Sequence, residues 1–121
     1  MLPTVAMLAT LALAAPAESP RDASGWRDWS STLYSQGDYR GALDAAGHAR
    51  EINHTDPWAR YAWIRALAAV DPDTARIAMP GLQDPATIQA MAADDRAKLN
   101  AALGYLCLEL GLEPLAAMHF G

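Results

Sequence analysis

The chain has 121 residues, 52% of them hydrophobic and 19% charged, which fits one small globular domain and excludes a disordered segment. Fourteen acidic against nine basic residues give a net charge of -5, without the basic run a nucleic acid needs or the Lys/Arg-rich face an anionic membrane needs. The single cysteine, Cys107, excludes an internal disulfide and any CxxC pair, and within Leu106-Cys107-Leu108 it reads as a small buried hydrophobe.

Residues Met1 to Ala17 carry no charged side chain. The apolar run Val5 to Ala15 has the length of a secretory core and falls short of the roughly 20 residues that span a bilayer. Ala15-Pro16-Ala17 offers small residues for cleavage before Glu18, so 1–17 is expected to be a signal peptide and 18–24 a linker. The start lacks the Lys or Arg of a signal peptide's positive end, and the alternative is an ordinary N-terminal helix packed on the domain. Pro3 and Pro16 bracketing the stretch favour the cleaved leader. Lys98 is the sole lysine among the basic residues, an arginine bias that suits a GC-rich bacterial genome. The expected location is periplasmic or secreted, with no stable membrane insertion after cleavage.

From Trp26 the pattern becomes helical. Trp26, Trp29 and Leu33 fall at i, i+3 and i+7, one apolar stripe. Gln36-Gly37-Asp38 breaks it: Gly37 can take the left-handed conformation that closes a helix, and Asp38 can cap the next. Ala42, Ala46 and Ala49 follow at i, i+4 and i+7, small enough to let antiparallel helices approach closely, and Ile52 finishes the stripe. Pro57 opens a third helix to Val70, with Ala59, Ala62, Trp63, Ala66 and Leu67 as its buried face. Beyond Asp71-Pro72-Asp73, a helix from Thr74 to Met79 stops at Pro80-Gly81. A short helix over Pro85 to Ala93 precedes a long one over Ala97 to Leu110, capped by Asp94 or Asp95, and Gly111 turns the chain into a last helix.

These residues resemble the tetratricopeptide repeat, a helix-turn-helix unit of about 34 residues. Trp26, Gly37, Tyr39, Ala42 and Ala49 match its pattern, with Trp29, Ser30 and Leu33 as variants and its proline displaced to Pro57. Leu103, Gly104, Gly111, Ala116 and Phe120 match it again in one register, whereas Asp71 to Ala93 is irregular. The resemblance covers about residues 25–121. It implies an all-α fold, with antiparallel helix-turn-helix repeats stacked as a short right-handed α-solenoid of about 2.5–3 units. The units fall at about 25–56, 57–93 and 94–121. Such arrays end in a capping helix, and the third unit shows none. Either a partner or another copy covers it, by self-association through the C-terminal unit, or the array is a fragment of a longer one.

In this family the first helix of each unit lines a concave groove. The resemblance therefore implies a partner-binding groove of Arg27, Ser31 and Tyr34, then Trp58, Tyr61 and Arg65, then Lys98 and Tyr105. Aromatic and arginine side chains carry much of the energy of protein interfaces, and with the basic groups they suit a peptide bearing an acidic group. The chaperone-tail clamp of some members is matched only at Arg27 and Lys98, since Ser31 and Ala62 stand where it has asparagine. The expected function is an interaction module or scaffold in the bacterial cell envelope that binds a protein or peptide. The alternative is a non-catalytic segment of a larger exported enzyme or secretion component.

No catalytic, cofactor or metal site is expected. Asp44 and His48 stand at i, i+4, the spacing of an ordinary exposed helix pair more than of a hydrolase dyad. Neither HExxH nor an EF-hand loop occurs, and GxSxG, the P-loop and GxGxxG are likewise missing.

Overall fold

The computed structural model describes residues 22–121; the leader expected at 1–17 lies outside them. Among the described residues there are seven α-helices and no strand. They are α1 (Ala23–Ser35), α2 (Tyr39–Ile52), α3 (Pro57–Val70), α4 (Pro72–Ala78), α5 (Pro85–Gln89), α6 (Ala93–Glu109) and α7 (Glu113–Phe120). The fold is all-α, and no helix among these residues is long and apolar enough to cross a membrane.

Aspartates decide where most of the helices begin. Asp22, Asp38, Asp56, Asp71 and Asp84 each accept a first-turn backbone N–H, from α1 through α5. Each satisfies a donor that has no partner within its helix. The long helix departs from expectation. It starts at Ala93, not Ala97, and Asp94 and Asp95 lie inside its first turn without capping it. There they act on the positive end of the helix dipole. The short α5 is confined to Pro85–Gln89, and of the residues expected in it only Ala93 joins α6.

α1 and α6 close in the same way. Gly37 and Gly111 have φ of 82° and 76°. Asp38 N donates to Leu33 O at 2.9 Å, and Leu112 N to Cys107 O at 2.8 Å. The glycines' own N–H groups donate to Tyr34 O and Leu108 O. This Schellman closure satisfies terminal carbonyls and reverses the chain into α2 and α7. The α1–α2 hairpin is antiparallel, for Ser30 meets Ala42 and Trp26 meets His48 across one turn.

Small side chains set the spacing. Ala42, Ala45, Ala46 and Ala49 of α2 are all buried, and α2 packs on both α1 and α3. Ser30, 1% exposed, donates its hydroxyl to Ala42 O at 2.7 Å, so the one buried polar residue among the described residues is satisfied.

α3 is the shared element. It touches α1, α2, α4 and α6, and α6 pairs with α7. Neighbours on several sides widen its buried surface beyond one stripe. Ile64 is fully buried with Leu99 and Leu103, while Trp63, expected in the core, is only partly buried with the Arg50 guanidinium 4.4 Å over its ring. Cys107 is fully buried and burial pushes its thiol pKa up, as a packing residue requires.

Candidate partner-binding face

α1 and α3 run side by side, and their facing residues converge on Arg65. Its Nη2 donates to Ser31 Oγ at 3.2 Å. Its guanidinium carbon lies 4.3 Å from the Tyr34 ring centre and 5.5 Å from that of Tyr61. Trp58 meets Tyr61 edge to face at 6.0 Å, one turn earlier on α3. Five of the eight residues expected in the groove thus form one connected cluster. A guanidinium stacked between aromatic faces loses little further freedom when a ligand arrives, because its position is already fixed.

A hollow of about 190 Å³ opens beside the cluster, lined by Tyr34, Arg65, Ala68 and Ala69 and by Leu106 and Glu109 of α6. Burial pushes the Tyr34 hydroxyl above its usual range, with the Arg65 charge opposing it in part, so the phenol is neutral and able to donate. Arg65 Nε is buried without a hydrogen-bond partner, whereas Glu109 is exposed across the hollow.

Arg27 sits differently. Its Nε lies 2.9 Å from Asp56 Oδ2, an ion pair whose N–H is not aligned for a hydrogen bond. Asp56 also caps α3 through Trp58 N, so Arg27 ties α1 to the start of α3 and its charge is met within the chain. Lys98 is exposed and makes no hydrogen bond or ion pair among the described residues. Tyr105, 63% exposed, meets Phe120 edge to face at 5.2 Å, outside the Arg65 cluster.

The stacking on the opposite side went unread in the sequence. His48 stacks on Trp26 at 4.4 Å, and Arg50 covers Trp63. Helical spacing indicates which residues share a face, but these pairs cross between helices. His48 also lies 3.7 Å from Asp44 and 3.9 Å from Glu51, both exposed. No group of three His, Cys, Asp or Glu side chains among the described residues is placed to hold a metal. In comparisons with known proteins, no family model, no curated protein and no solved structure matches the chain.

Proposed function

We propose that the chain is a tetratricopeptide-like interaction module of the bacterial cell envelope, and that its α1/α3 face binds a protein or peptide partner. The observation that carries this reading is the Ser31–Arg65 contact. The two residues are 34 positions apart, and Tyr34 and Tyr61 close on the same guanidinium. A 34-residue return is the period of that repeat, and it places equivalent positions of successive first helices together. Matching glycine closures at Gly37 and Gly111 and the α1–α3 and α3–α6 contacts support the same arrangement.

The face has the composition of an interface centre. Tyrosine, tryptophan and arginine supply large, semi-rigid area with a polar end. With Arg27 engaged by Asp56, the cations left to recognise an acidic group are Arg65 and Lys98. A mainly aromatic contact with one anchoring carboxylate is the partner chemistry this face fits.

A photo-crosslinking residue at Ser31, compared with one at exposed Asp44 on α2, tests the reading. A single protein adduct in envelope extract from the Ser31 position, and none from Asp44, is expected. Adducts from Asp44 alone would move the binding surface to the other side of the molecule.

A further inference from the structure

A second concavity lies nearer the start of α6, where Asn100 and Leu103 line it, whereas Leu106, Glu109 and Leu110 line the Arg65 hollow. This cleft of about 430 Å³ is enclosed by the Met79–Gln83 turn, α5, α6 and α7. Its volume falls within the roughly 300–1,000 Å³ of small-molecule sites.

The lining states what it accepts. Met79, Ile88, Leu103, Leu115 and Met118 form its apolar walls, and two methionines make those walls adaptable. Among the described residues no Lys, Arg, Asp or Glu lines it, in a chain where 19% of residues are charged. An ionised ligand would lose its hydration without gaining a counter-charge, so a charged occupant is disfavoured.

The polar groups are few: the Gln83, Gln89 and Asn100 amides and the His119 ring. Gln83 Nε2 donates to Pro57 O at 3.0 Å, and Gln83 Oε1 is buried out of a ligand's reach. His119 Nδ1 lies 3.2 Å from Asn100 Oδ1. With Nδ1 protonated toward that oxygen, Nε2 is an acceptor. Burial lowers the His119 pKa, which keeps the ring neutral.

We infer that this cleft binds an uncharged, largely apolar small molecule that presents a hydrogen-bond donor, such as a hydroxyl or amide N–H, to His119 Nε2. The inference stands apart from the α1/α3 face and does not depend on it.

The test is titration of the full chain with Nile red, a neutral apolar dye, followed by displacement with three ligands of one shape. Saturable binding of one dye per chain is expected. Cyclohexylmethanol should displace it, and both its methyl ether and cyclohexanecarboxylate should do so at least about tenfold more weakly. Met118→Trp, at a position 75% exposed on the rim, should weaken dye binding at least about tenfold, whereas Ile77→Ser on α4 should not. Methyl NMR of the unmodified chain gives a second readout, with shifts on alcohol addition confined to Met79, Ile88, Leu103, Leu115 and Met118. Non-saturable binding, equal displacement by the carboxylate, equal loss in Ile77→Ser, or dye uptake that tracks self-association would each overturn the inference.

Discussion

Ser31 and Arg65 stand 34 residues apart, and Arg65 Nη2 donates to Ser31 Oγ at 3.2 Å. The contact joins α1 directly to α3, two elements later in the chain, while α2 packs against both. The proposed repeat requires this contact of its successive first helices. It also holds Arg65 between Tyr34 and Tyr61, so one chain path supplies both the packing and the candidate binding cluster.

Adjacent serines should respond differently to the same change. Ser30→Ala removes a buried donor to Ala42 O and should cost about 1 kcal/mol. In a domain of this size that lowers the melting midpoint by about 4–8 °C. Ser31→Ala touches an exposed contact and should stay within about 0.5 kcal/mol. Thermal and urea denaturation measure both; an equal loss at Ser31 would make its contact with Arg65 a structural brace.

Glycine substitutions should divide by sign. Gly37→Ala and Gly111→Ala place a side chain at positive φ and should each cost about 1–2 kcal/mol. Gly47 lies within α2, and an added Cβ there meets nothing within 4 Å. Gly47→Ala should therefore stabilise by about 0.5–1 kcal/mol. Urea midpoints shifting in opposite directions are the expected readout.

The pH dependence follows from His119. Burial depresses its pKa below the ordinary 6.5, so the unfolded chain binds the proton more readily than the folded one. The resulting stability is fully present above pH 6.5 and is lost as pH falls through the folded value. His119→Gln should flatten the stability curve in that window. Asp71 and Asp84, held below the ordinary 3.8 chiefly by the Thr74 and Thr87 hydroxyls, act with the same sign only at lower pH. Denaturation midpoints measured in small pH steps separate the two windows; an unchanged slope in the His119 variant would contradict the assignment.

Much of the helical plan was legible because its determinants are local. Gly37 and Asp38 place a helix end and a helix start within one turn, and Pro57 fixes where α3 begins. The small-residue face of α2 also follows from spacing, since every alanine on it is buried. What was not local was misread. Trp63 lost its core position to Ile64 because α3 is contacted from several sides, which one helical stripe cannot express. Asp94 and Asp95 look like caps, yet α6 begins ahead of both. At the candidate face, the resemblance to the repeat gathers Ser31, Tyr34, Tyr61 and Arg65 but gives no hint that Asp56 engages Arg27. The cleft at Asn100 and His119 joins four separate segments and has no sequence signature.

The most direct measurement compares the affinity of the Ser31-crosslinked partner for the full chain with its affinity for Tyr61→Ala and Arg65→Ala. Circular dichroism would establish that each variant is folded. At least about tenfold weaker binding in both, roughly 1.4 kcal/mol or more, is the expected result. Folded variants that bind the partner as tightly as the unmodified chain would contradict the proposed face.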